Sequence, residues 1–267
     1  MQTSSTKVAI IGAGYAGLRA AYELSKQTNL HITLIDSNRW HYLQPEIYHF
    51  LANKSGIKDV AIDLINICSG LEIHFLHETV AQIEPQEQRI QFDSANTLSY
   101  DYLIMAQGSA TYFPPMIKGI NEHAIDIKSL RGALNFKQKF ENKLLSILDE
   151  IDANDKNNGG FDVVIGGAGL SGVEIAAEMA SYAKNYLDAA LFQNQGVRIC
   201  LVDGMEDILP GQDPWIIEKS RIQLQKLGVK IMTGEFIKEL KPHSLGLQNS
   251  QEISYDFFIF TGGTAPS

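Results

Sequence analysis

The chain contains itself twice, and that repeat limits its fold more than any other feature. Val8-Ala9-Ile10-Ile11-Gly12-Ala13-Gly14-Tyr15-Ala16-Gly17 matches Val163-Val164-Ile165-Gly166-Gly167-Ala168-Gly169-Leu170-Ser171-Gly172, 155 residues on (8 to 163). Ser99-Tyr100-Asp101-Tyr102-Leu103-Ile104-Met105-Ala106-Gln107-Gly108 faces Ser254-Tyr255-Asp256-Phe257-Phe258-Ile259-Phe260-Thr261-Gly262-Gly263 at the same spacing (99 to 254). Two separate segments sharing one offset mark a duplicated unit. Between them, Gly70-Leu71-Glu72-Ile73 loosely echoes Gly228-Val229-Lys230-Ile231 at an offset of 158.

Each copy reads as an open α/β unit: a short apolar strand, a glycine turn, then a helix. The first helix presents Leu18, Ala21, Tyr22 and Leu24; the second Val173, Ala176, Ala177 and Met179. A second strand follows in each, His31 to Asp36 and Val197 to Asp203. Parallel strands joined by helices make a sheet covered on both faces. The expected fold is α/β with two Rossmann-like dinucleotide-binding domains. The expected bounds are 1–113 for the first domain and 114–261 for the second, with 262–267 turning back toward the first. An amphipathic connecting helix over 131–152 presents Leu134, Phe140, Leu144, Leu145 and Leu148, and a loop follows over 154–160. Pro114-Pro115 marks the crossover between domains.

A lone GxGxxG is a weak signal, since a tight turn needs no ligand. Here each motif has a strand before it, a helix after it, and a small residue four positions beyond the last glycine (Ala21, Ala176). Gly12 and Gly167 turn the chain sharply. Gly14 and Gly169 let backbone approach a pyrophosphate, and Gly17 and Gly172 let helix and strand pack closely. The helix N-terminus then offers free N–H groups to the anion. Asp36, 24 residues after Gly12, and Asp203, 36 after Gly167, stand where ribose hydroxyls need an acceptor, against an expected spacing of about 20. A longer helix and loop over 182–196 accounts for the second interval. An acid at Asp203 repels a 2′-phosphate, and Gly204, Met205 and Glu206 supply no arginine, so NADH is favoured over NADPH.

Composition removes other classes. A net charge of -9 opposes nucleic acid as a partner. No run approaches the roughly 20 apolar residues of a membrane span. The histidines show no metal spacing, so no metal site is expected. Cys68 and Cys200 form no CxxC and read as buried thiols in a reducing, cytoplasmic setting.

These stretches, with His41-Tyr42-Leu43-Gln44-Pro45-Glu46-Ile47-Tyr48 and Ile208-Leu209-Pro210, make the chain resemble the glutathione-reductase-like flavoproteins. Among them it resembles type II NADH dehydrogenases, the NADH:quinone oxidoreductases. Gln107 departs from the family's Ala-Thr-Gly triplet. The resemblance implies FAD along Gly12, Gly14, Tyr15, Ala16, Gly17, Asp36, Ser37, Gln44, Val80, Ala106, Gln107 and Gly108. It implies NADH along Gly167, Gly169, Leu170, Ser171, Gly172, Asp203, Gly262 and Gly263, and a catalytic place for Glu174 beside nicotinamide and flavin. A solvated carboxylate in a first helical turn is the plainer reading of Glu174.

The resemblance further implies hydride transfer from NADH to FAD, with electrons passing on to a quinone. Family members carry a further C-terminal region with the quinone site and membrane-binding helices. The chain is therefore expected to be truncated, its parent peripheral on the cytoplasmic face, with a homodimer open to it. Disulfide reductases of this superfamily need CxxxxC beside the flavin and NADH peroxidases one cysteine there. Residues 40–50 have none, and 108–160 lack the cysteines of sulfide:quinone reductases. Two alternatives stay open: a soluble NADH-dependent flavoprotein passing electrons to ferredoxin or another protein, and a non-catalytic NAD(H)-binding sensor or scaffold.

Overall fold

The computed structural model describes residues 5–152, 160–187 and 196–266, with the backbone alone over 148–152. The expected loop over 154–160 therefore lies outside the described residues except for Gly160, as do 188–195 of the second long connection. The chain divides into two compact units. The first comprises 1–43, 57–109 and 266–267, and the second 44–56 and 110–265.

In the first unit, strands Thr6–Ile11, Leu30–Asp36, His74–His77 and Tyr102–Met105 form a parallel sheet. Thr6–Ile11 lies inside, between Leu30–Asp36 and Tyr102–Met105, and His74–His77 forms the other edge. Alternation sends neighbouring side chains to opposite faces. Val8 and Ile10 pack with Ala21, Leu34 and Cys68 beneath the helices, while Ala9 and Ile35 pack with Ile90, Phe92 and Tyr100. That second face is covered by an antiparallel meander, Val80–Glu84, Arg89–Phe92 and Thr97–Ser99.

The second unit repeats this plan. Strand Phe161–Gly166 lies between Val197–Asp203 and Phe257–Phe260, with Lys230–Thr233 outermost, all parallel. Its meander is Ile237–Lys241, Ser244–Leu247 and Glu252–Ser254. The repeat extends to single hydrogen bonds. Lys7 N–H donates to Asp101 Oδ2 at 2.7 Å and Asp162 N–H to Asp256 Oδ2 at 2.9 Å. Gly12 N–H donates to Ile35 O and Gly167 N–H to Val202 O, both at 2.8 Å.

The same bonds correct one register. Ile73 N–H donates to Cys68 O and Val229 N–H to Leu224 O, both at 3.0 Å, so Ile73 matches Val229, an offset of 156 rather than 158. Both side chains are buried there. Two apolar assignments also change. Tyr22 is exposed, its ring covered by Lys26 Nζ at 4.3 Å. On the connecting helix, Leu130–Asp152, Leu145 is exposed, while Phe136 and Ile147 are buried beside Phe140 and Leu144; the side chain of Leu148 lies outside the described residues. Phe140 packs on Phe161 (5.4 Å), Phe136 (5.8 Å) and Phe257 (6.4 Å between centroids), tying this helix to the second sheet.

Candidate functional site

Both glycine corners form at the carboxyl ends of the central strands, where open α/β sheets bind ligands. In the first, Gly12 takes φ +97°, open to glycine at little cost. A Cβ on it would lie 2.4 Å from Ala106 O. A Cβ on Gly17 would lie 1.8 Å from Gly12 O. Gly14 differs: nothing stands within 4 Å of its would-be Cβ. The second corner repeats this. Gly167 has φ +112° and would press on Gly262 N at 2.8 Å; Gly172 would meet Gly167 O at 1.9 Å; Gly169 again faces open space. The outer glycines of each motif are therefore required by the protein's own backbone. The middle one is not, so the space it leaves is free for something else.

Gly14 caps Tyr15–Leu24 and Gly169 caps Leu170–Tyr186, and neither helix receives a side-chain capping bond. A positive helix end therefore stands at each middle glycine, as an anion requires. Tyr15 and Ala16 in one copy, Leu170 and Ser171 in the other, are exposed beside them.

The two acids make matching bonds. Asp36 accepts Ala13 N–H and Asn38 N–H, each at 2.7 Å. Asp203 accepts Ala168 N–H at 2.5 Å and Met205 N–H at 2.7 Å. A carboxylate has about four acceptor positions, so each acid both braces its glycine loop and keeps capacity for sugar hydroxyls. Ser37 follows Asp36 directly. Ala106 and Gln107 press on Gly12 and lead into Gly108, while Gly262 presses on Gly167 and leads into Gly263. Val80 buries its side chain partly against the Ile90 and Phe92 cluster.

Gln44 falls in the second unit, where its Nε2 donates to Lys128 O at 3.1 Å. It lines a cavity there with Ser171, Thr261 and Gly263. The segment 44–56 also brings His49 and Tyr48 toward Glu174. Partial burial raises the Glu174 carboxyl from its ordinary value, a rise that His49 opposes. Tyr48 is raised by burial and by Glu174, Glu46 and Glu178 around it.

Sequence reasoning gave His41 no task. It is buried, and its Nδ1–H donates to Ala13 O at 2.9 Å, because a carbonyl can only accept. Its ring meets Tyr15 edge-on at 4.9 Å. Alternation in Trp40–Tyr42 could have signalled an inward histidine, but nothing in sequence placed it under the glycine loop. His41→Ala leaves the Ala13 carbonyl without this donor and is expected to lower stability by about 1–3 kcal/mol in chemical denaturation.

Cys68 and Cys200 are both buried, and burial pushes each thiol up to about 11. Since the thiolate is the reactive form, both are expected to resist a disulfide reagent in the folded protein and react only on unfolding. Among the described residues no group of histidine, cysteine and carboxylate side chains could hold a metal ion.

Two Rossmann-like units, each with a glycine corner braced by an acid, define a chain with two folds of the dinucleotide-binding type. The family profile of Pyridine nucleotide-disulphide oxidoreductase matches residues 6–267, so the chain belongs to that family. It is 24% identical over 88% of its length to the Type II NADH:quinone oxidoreductase of Staphylococcus saprophyticus, and 24% identical over 86% to that of Staphylococcus aureus. It spans only 58% and 57% of those proteins. In fold it is similar to NDH2 from Plasmodium falciparum in complex with NADH, with a TM-score of 0.84 and 22% identity, covering 98% of this chain and 56% of that one. It is also similar to the sulfide:quinone oxidoreductase of Aquifex aeolicus, with a TM-score of 0.75 and 20% identity, covering 96% and 58%.

Proposed function

We propose that the chain is the dinucleotide-binding part of an NADH:quinone oxidoreductase, holding FAD in the first unit and NADH in the second. The observation that carries this is the pair of open glycine corners with matching acids. FAD, when bound, supplies hydride-accepting redox chemistry between NADH and the onward acceptor. The protein's part is to hold each diphosphate at the N–H groups after Gly14 and Gly169, and each ribose at Asp36 and Asp203. Glu174 is assigned a place beside the nicotinamide, its proton affinity set by the crowding around it and by His49. Quinone as acceptor is supported by the names of the staphylococcal relatives. Attachment of the whole protein to the cytoplasmic face of a membrane and pairing into a homodimer belong to the same proposal. Among the described residues no helix is long and apolar enough to cross a membrane.

The test is the absorbance of FAD-loaded protein under anaerobic conditions. NADH is expected to bleach the yellow flavin band, and a quinone to restore it. A flavin band that NADH leaves unchanged would contradict the reading, and restoration by a ferredoxin but not by quinones would redirect the electrons to a protein acceptor. Asp203→Ala is expected to weaken NADH binding about tenfold or more, the loss of a charged hydrogen-bond acceptor. Affinity equal to wild type would remove Asp203 from the ribose.

A further inference from the structure

The second unit holds an exposed aromatic ring where the first has none. Phe236 is 55% exposed, yet its ring fills the space that a side chain on Gly204 would need. A Cβ on Gly204 would stand 2.4 Å from Phe236 Cε1 and 2.5 Å from Cδ1. Residue 204 follows Asp203, the acid placed at the ribose. Backbone bonds place residue 236 beside it: Glu235 N–H donates to Asp203 O at 3.0 Å, Gly234 N–H to Met205 O at 2.7 Å and Gln248 N–H to Phe236 O at 2.9 Å.

The internal repeat supplies the control. In the first unit Glu78 N–H donates to Asp36 O at 3.1 Å, and Asp93 N–H to Thr79 O at 3.0 Å. Thr79 therefore occupies the place of Phe236, and Ser37 that of Gly204. Matching hydrogen bonds place Ser with Thr in one copy and Gly with Phe in the other, the second copy having one more residue, Gly234, before Glu235. Both members of the pair change together, and the change to glycine is what the ring requires. A single exposed apolar side chain needs no explanation. A ring seated on a glycine cleared for it, next to the ribose acid, does.

We propose that Phe236 is the platform on which the second unit stacks the adenine of its dinucleotide, and that glycine stands at 204 to seat that ring. This rests on the reading of the second unit as the NADH unit. The base is bonded directly to the ribose whose hydroxyls reach Asp203, so a flat apolar surface over the neighbouring residue lies within its reach. Stacking uses the face of a base and not its edge. It therefore adds affinity for the adenosine half of NADH and none for the nicotinamide half.

Three probes separate the halves: NADH, ADP-ribose, which lacks nicotinamide, and reduced nicotinamide mononucleotide, which lacks adenosine. Phe236→Ala is expected to weaken NADH and ADP-ribose about tenfold, the loss of one base–aromatic stack, while changing the mononucleotide by less than about twofold. Phe236→Trp is expected to restore both. Gly204→Ser should imitate Phe236→Ala by lifting the ring, and add little when combined with it. Unchanged ADP-ribose affinity in Phe236→Ala would overturn the proposal. So would equal losses for all three probes, the mark of a disturbed fold. Phe236→Leu, which keeps apolar cover on Gly204 without a ring, guards against misfolding and should still lose most of the adenosine affinity. Failure of the wild-type protein to bind ADP-ribose would instead remove the NADH reading, and this proposal with it.

Discussion

Alanine at Gly17 or at Gly172 is expected to destabilise the unit that carries it by about 4 kcal/mol or more, in the range reserved for severe steric conflict. A new Cβ would lie 1.8 Å from Gly12 O or 1.9 Å from Gly167 O. These contacts are with backbone at the turn itself, so no side chain can swing away to relieve them. Alanine at Gly14 or Gly169 carries no such conflict, since nothing stands within 4 Å. Those variants are expected to melt within a few degrees of wild type. Thermal unfolding of the four proteins checks both halves. Equal loss from all four would mean the glycines share one structural role, and the open space at the middle positions would lose its meaning.

Phe140→Ala is expected to be the most damaging core substitution, at about 3–5 kcal/mol for a buried phenylalanine. Phe140 is fully buried on the connecting helix and touches Phe136, Phe161, Phe257 and Tyr182. Its loss leaves a cavity between the helix and the second sheet, and aromatic neighbours packed on one another collapse poorly into it. Denaturant unfolding would measure the loss. A cost under about 1 kcal/mol would show the helix to be a loose connector rather than a layer of the second unit.

The sequence announced the glycine corners and the acids because both obey fixed local spacing, and the repeat doubled the signal. Val197–Asp203 ends on its acid in sequence and structure alike. The meanders were silent: Thr97–Ser99 and Glu252–Ser254 are three residues long, too short for an alternating pattern to stand out. The membership of 44–56 in the second unit was also hidden. That segment lies within the first copy in sequence, and its anchors are tertiary: Lys54 with Glu178 at 2.5 Å and Lys137 with Asn53 at 3.1 Å. Pairs so distant in the chain have no local signature. His41 and Phe236 escaped for the same reason, since each is defined by a loop residue distant in sequence, Ala13 and Gly204. The 158-residue echo misled because it matched residue types, whereas hydrogen bonds set the register at 156.

The central claim is that two separate corners each take one diphosphate, and Gly14→Val with Gly169→Val tests it most directly. Binding of FAD and of NADH to each purified variant would be titrated. The account predicts a folded Gly14→Val protein that loses FAD while keeping NADH, and a folded Gly169→Val protein that does the reverse. Wild-type affinity for both ligands in both variants would contradict it, because then neither open corner is where a dinucleotide sits.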